Sequence, residues 1–187
     1  MLTSTPLRDP LIQALAGYPA LIVPGLNNSD AEHWQSRWQA RLPHSTRIEL
    51  DDWATPNLDK WCSAIDRALA RTHGPQVLIA HSFGTLACAR MAQLLAEKIH
   101  GLFLVAPADP DKFAIADQLP KQPLGVKTHV IASSNDPWMR AEKAAHWAAQ
   151  WGADFLVLKD VGHINSASNL AEWPLGVEQL QRLMDGI

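Results

Sequence analysis

Ala80-His81-Ser82-Phe83-Gly84 follows directly on the apolar run Val77-Leu78-Ile79 and leads directly into a helical pattern from Thr85 to Lys98. A serine at a sharp strand-to-helix turn is a nucleophile elbow. The turn strains the serine backbone so that Oγ stands clear above the sheet. Side chains two residues before and two after then crowd one another, so both positions must be small. Ala80 and Gly84 meet that demand, Ala80 with one methyl more than the glycine usual in G-x-S-x-G. As a bare pattern, small-x-Ser-x-Gly is common by chance. The strand before it and the helix after it give it weight.

A serine hydroxyl is a poor nucleophile until an imidazole takes its proton, and a carboxylate must orient that imidazole and stabilise its charged form. On a fold with this elbow the chain order is serine, acid, histidine. The apolar run Lys127 to Ala132 empties into Ser133-Ser134-Asn135-Asp136-Pro137-Trp138, and Asp154 to Leu158 empties into Asp160-Val161-Gly162-His163-Ile164-Asn165. Asp136 and His163 thus fall just past the carboxyl ends of strands, where open α/β folds gather their chemistry. Ser82, Asp136 and His163 are the candidate catalytic residues. The rival acids are Asp109 and Asp111, past the preceding strand. Asp160 is too close to His163 in sequence to reach its far nitrogen. Blander roles exist for two of these residues: Ser82 as an ordinary helix-capping serine, and Asp136 as the N-cap of the helix after it.

The stretches Val23-Pro24-Gly25-Leu26-Asn27-Asn28-Ser29, Glu32-His33-Trp34-Gln35-Ser36-Arg37-Trp38, His81-Ser82-Phe83-Gly84, Ser134-Asn135-Asp136-Pro137 and Gly162-His163-Ile164-Asn165, with Trp173-Pro174-x-Gly176, resemble the small serine hydrolases of the YdeN and retinoblastoma-binding-protein-like group. The resemblance runs over nearly the whole chain after about residue 18. It implies a minimal α/β-hydrolase fold with Ser82, Asp136 and His163 as its triad, and it supports that machinery far better than any particular reaction.

A length of 187 residues fits one domain, 1–187, since a second core would be hard to fill. The net charge of −3, with lysines and arginines scattered, offers no basic patch for nucleic acid or anionic lipid. No segment is long and apolar enough to span a membrane, and the first residues lack the charge-then-apolar layout of a leader. Cys62 and Cys88 both fall in helical patterns and read as buried thiols in a reducing compartment. The expected location is cytoplasmic.

Apolar runs at Ala20 to Val23, Arg47 to Leu50, Val77 to Ala80, Leu102 to Ala106, Thr128 to Ala132 and Phe155 to Leu158 alternate with helical patterns, as a mainly parallel sheet with helices on both faces requires. Ser29-Asp30-Ala31-Glu32 reads as a capping box ahead of a Trp34, Trp38, Leu42 stripe. Leu58, Trp61, Cys62, Ile65 and Leu69 form a second stripe, with Asn57 as its cap. A third helix, Ala141 to Trp151, closes at Gly152. A last one starts near Pro174 and buries Leu180, Leu183 and Met184. Residues 1–19 show no alternation for the antiparallel hairpin that fuller hydrolases carry. The proline-rich interval Pro107 to Val126 has room for a short helix and a loop but no large cap domain, so the site should be shallow.

Acyl transfer needs donors for a developing oxyanion. The backbone N–H of Phe83 is one; the other comes from the loop after the first strand, with the Leu26 amide ahead of Asn27. Trp138, beside the acid, and Trp53, past the second strand, are candidates for the substrate cleft with Asn27. Trp34, Trp38 and Trp61 are read as core. His81 reads as a packing or polar-network residue, because neighbours in a tight turn point apart. Neither a phosphate loop nor metal-ligand spacing occurs, so no cofactor and no metal is expected. Two function classes remain open: a serine hydrolase acting on a small-molecule ester, thioester or amide, and a hydrolase-fold binding or regulatory protein. The oligomeric state is unknown from sequence.

Overall fold

A computed structural model describes residues 9–187. Its frame is a six-stranded sheet, all parallel, in the order β2-β1-β3-β4-β5-β6. The strands are β1 (Ala20–Val23), β2 (Ser45–Arg47), β3 (Gln76–His81), β4 (Ile99–Val105), β5 (Thr128–Ser133) and β6 (Asp154–Leu158). The helices are α1 (Pro10–Ala14), α2 (Trp34–Arg41), α3 (Leu58–Ala70), α4 (Phe83–Leu94), α5 (Ala141–Trp151) and α6 (Pro174–Asp185). Strand side chains alternate between faces, and here each set has its own core. Leu21, Val23, Leu78, Leu102 and Leu104 pack against Trp61 and Ile65 of α3, Leu86 of α4 and Trp151 of α5. Ala20, Ile22, Ile79, Phe103 and Val105 pack against Leu11 of α1, Trp34 and Trp38 of α2 and Leu183 of α6. The expected fold, a parallel sheet with helices on both faces and no cap domain, is the one observed.

Several local expectations hold. Asn57 caps α3 by accepting from Lys60 N–H, and Gly152 closes α5 at φ 65°. Leu180 and Leu183 are buried on α6, while Met184 is only partly covered. Others are corrected. The second strand is Ser45–Arg47, not Arg47 to Leu50: Arg47 pairs with Ile22, and Ile48 and Leu50 then turn onto the core as loop residues. Polar Ser45 and Thr46 can form this strand because it lies at the sheet edge, and the Arg47 guanidinium anchors it to Asn28, Ser36 and Gln39. The capping box at Ser29 does not form. Asp30 instead makes a local turn, accepting from Glu32 and His33 N–H, so α2 starts late, capped by His33 Nδ1. Ser29 Oγ donates to Gln35. Helix α4 starts at the elbow itself and ends at Leu94; Ala96–Lys98 is a separate 3-10 turn.

The Pro107 to Val126 interval contains two 3-10 turns, Pro110–Phe113 and Ala116–Gln118, and no lid. Ahead of β1, the described residues form α1 and no strand. The part of the hairpin and leader readings that concerns residues 1–8 lies outside the described residues. Among the described residues, no helix is long and apolar enough to cross a membrane.

Candidate active site

Ser82 joins the end of β3 to α4 at φ 52°, ψ −123°, a conformation a non-glycine residue adopts only when its surroundings impose it. Those surroundings are specific. Ser82 N–H donates to the Val105 carbonyl at 3.0 Å, and its own carbonyl accepts from the Thr85 hydroxyl at 2.7 Å. A Cβ on Gly84 would lie 2.4 Å from the Val23 carbonyl oxygen, and one on Gly25 would lie 2.7 Å from Ser82 Cβ. Both glycines therefore let the first-strand loop close onto the elbow. The extra methyl of Ala80 is absorbed in the core.

His163 Nε2 lies 2.9 Å from Ser82 Oγ, and His163 Nδ1 lies 2.8 Å from Asp136 Oδ2. An ionised carboxylate only accepts, so Nδ1 carries the proton and Nε2 is left to accept from the serine hydroxyl. The Asp136 side chain is 1% exposed, and its other oxygen accepts from Trp138 N–H at 2.9 Å. Asp136 caps no helix: α5 begins at Ala141 with Arg140 as its N-cap residue. Asp109 and Asp111 are both paired with Lys143, and Asp160 bonds to Ser134. Of the candidate acids, only Asp136 meets the histidine.

Residues that sequence reasoning passed over hold this geometry. Asn135 Oδ1 accepts from Gly162 N–H at 2.7 Å and from Ser133 Oγ at 2.9 Å, tying the acid loop to the histidine loop. Gln35, fully buried, donates to the carbonyls of Val23 and Ile79 and so pins α2 across β1 and β3. His81 is part of a polar network, as expected: its Nε2 donates to the His163 backbone carbonyl at 2.9 Å. Its ring stands between those of His33 and His163, with centroids at 4.7 and 4.9 Å. The Ser-Asn-Asp run beside the acid was the signal for Asn135. Nothing local could flag Gln35.

Neither Leu26 N–H nor Phe83 N–H donates to an acceptor among the described residues, whereas Asn27 N–H is engaged with the Trp53 carbonyl at 2.8 Å. Trp61 Nε1 holds the Pro24 carbonyl at 2.9 Å, steadying the same loop. Trp53 does not line the cleft. It packs on Trp61 and contributes its carbonyl instead, a role no sequence pattern announces. Trp138 does line it, with 58% of its surface exposed. A cavity of about 440 Å³ opens on Ser82 and His163 and is walled by Leu26, Ala108, Phe113 and Trp138.

Burial sets the charge state of the neighbouring imidazoles. Desolvation pushes His33 down to about 4 and His81 well below the ordinary histidine value. Unfolded, both would titrate near 6.5. The unfolded chain therefore takes up protons first as pH falls, and stability is highest above about 6.5 and drains away toward 4. His33 alone is expected to cost about 2 kcal/mol between pH 7 and pH 5. Urea midpoints at the two values check this, and His33→Gln should remove that share of the difference while the part due to His81 stays. Cys62 and Cys88 are free and buried, and burial raises the Cys62 thiol to about 11.

Residues 20–182 match the family described as Serine hydrolase. Among solved structures, a YdeN-like hydrolase from Pectobacterium atrosepticum is similar at 39% identity and a TM-score of 0.89, over 94% of this chain and 95% of that one. The ydeN gene product of B. subtilis is similar at 19% identity and a TM-score of 0.76, covering 90% and 99%. Est1E from Butyrivibrio proteoclasticus, solved with ferulic acid bound, shares the fold at 13% identity and a TM-score of 0.69, covering 98% and 92%. No curated protein gives a significant match.

Proposed function

Because this chain belongs to the serine hydrolase family, we propose that it cleaves small esters through an acyl-enzyme, with Ser82 as nucleophile, His163 as general base and acid, and Asp136 as the carboxylate that orients His163. The observation that carries this reading is the unbroken line of contacts from Asp136 through His163 to Ser82, at 2.8 and 2.9 Å, ending on a strained elbow. As Ser82 Oγ attacks the ester carbonyl carbon, its proton passes to His163 Nε2, and the carbonyl oxygen becomes an oxyanion. The free amides of Leu26 and Phe83 are the donors for that charge; losing one such donor typically costs about 3–4 kcal/mol. The bond of Asn27 N–H to the Trp53 carbonyl supports Leu26 over Asn27 in that role. Collapse breaks the bond to the alcohol oxygen, which takes the proton from Nε2. Water then repeats the sequence on the Ser82 ester, giving acid and free enzyme.

The acyl group has the cavity walled by Leu26, Ala108, Phe113 and Trp138. With no cap over it and Trp138 largely in solvent, only the first few methylenes can be buried, at about 0.8 kcal/mol each. A nitrophenyl ester series is expected to peak at roughly two to six acyl carbons, and a fluorophosphonate probe should leave its adduct on the Ser82 peptide. An adduct on another residue would overturn the mechanism. Efficiency that climbs steadily to twelve or more carbons would overturn the short-chain reading.

A further inference from the structure

A second cavity, of about 410 Å³, also opens on Ser82 and His163. The two cavities share Leu26, Asn27 and Asn165, then diverge: one runs to Ala108, Phe113 and Trp138, the other to Asn28, Asp30, His33 and Ser166. On the first side the charged groups are already engaged, Lys112 with the Trp138 carbonyl and Asp109 with Lys143. The second side has unspent donors. Asn28 Oδ1 accepts from Ser29 N–H and from the Arg47 guanidinium, which fixes the amide and leaves Nδ2 without an acceptor among the described residues. Asn165 Oδ1 accepts from Ala167 N–H, leaving its Nδ2 in the same position. His33 Nδ1 accepts from Gln35 N–H, so its proton sits on Nε2, a nitrogen that is buried and has no partner. Asp30 is the carboxylate lining this side, and its oxygens already accept from Ser166 and two backbone amides. A lobe with surplus N–H donors and one carboxylate suits a neutral partner rich in acceptor oxygens and disfavours an anion.

Resting on the reading of Ser82 as an esterase nucleophile, we propose that this second lobe receives the alcohol half of the substrate, and that this half is a neutral polyhydroxylated alcohol such as glycerol or a sugar. The leaving oxygen must take its proton from His163 Nε2, and the loop that follows His163 supplies Asn165, Ser166 and Ala167 to this lobe. The substrate class is then a short acyl ester of a polyol.

Glyceryl monobutyrate and propyl butyrate share an acyl group and differ in the hydroxyls of the alcohol. With each kcat/KM divided by the alkaline hydrolysis rate of the same ester, the wild type is expected to favour the glyceryl ester by about tenfold or more, the yield of two or three hydrogen bonds. Asn28→Asp and Asn165→Asp each keep the fixed oxygen and replace the donor with an acceptor. Each should lower that ratio about threefold or more. The ratio is internal to each variant, so a change in the folded fraction does not move it. Equal efficiency toward the two esters, or a ratio unmoved in both variants, overturns the proposal while nitrophenyl butyrate is still hydrolysed. Failure to hydrolyse nitrophenyl butyrate as well would overturn the esterase reading beneath it.

Discussion

Ser82→Ala is expected to lower kcat toward a nitrophenyl ester by about 10⁵–10⁶ and to abolish fluorophosphonate labelling, while the protein stays folded. On the proposed mechanism, loss of the oxygen removes the atom that forms the acyl-enzyme. The remaining donors and the cleft would still give a small acceleration over water. Little stability should change, because the substitution deletes one partly exposed hydroxyl whose single hydrogen bond is to His163, a contribution of about 1 kcal/mol. Alanine also tolerates φ 52° about as poorly as serine, so the strain of the elbow is common to both proteins. Thermal unfolding beside single-turnover product release makes the measurement. A variant that keeps more than about one hundredth of the rate would place the nucleophile elsewhere.

The parts of this molecule that could be read from sequence are those whose signal is local. The elbow announces itself because Val77 to Ile79, Ser82 and Gly84 lie within one short stretch of chain. Asp136 and His163 each stand a few residues past an apolar run that forms a strand, fully buried in β5 and only partly covered in β6, so chain order was enough to nominate them. Asp136 is set apart from Asp109 and Asp111 only in three dimensions, where it meets His163 and Lys143 engages the other two. Edge strand β2 was misplaced because hydrophobicity marks burial rather than pairing: Ile48 is buried from a loop, while polar Ser45 and Thr46 carry the ladder. The capping box at Ser29 failed for a related reason. Two helix-start devices compete within five residues, and the Asp30 turn together with the His33 cap wins. Contacts such as Asn27 to Trp53, or Gln35 to Ile79, join residues far apart in the chain and leave no pattern in either segment. They bear on the proposed oxyanion site all the same, since the first commits the Asn27 N–H and leaves the Leu26 N–H free.

Asp136→Asn is expected to cut kcat by about 10⁴ with little change in KM. The carboxylate accepts from His163 Nδ1–H and thereby leaves Nε2 unprotonated toward Ser82. An asparagine keeps an oxygen for Trp138 N–H, so the local turn survives. Its amide nitrogen then faces Nδ1 as a donor. That contact favours the tautomer with Nε2 protonated, in which two hydrogens meet between His163 and Ser82 and no base remains. The variant also lacks the negative charge that stabilises the imidazolium formed as the serine is deprotonated, so the loss falls on the transition state more than on substrate binding. Asp111→Asn serves as the contrast. It gives up only an exposed pairing with Lys143 and should stay within about threefold of wild type. Should Asp109→Asn or Asp111→Asn lose as much activity as Asp136→Asn, the acid would lie past β4 and not past β5. Because all three are isosteric changes of one charge, the comparison separates the carboxylate that orients the base from those that only pair with lysine.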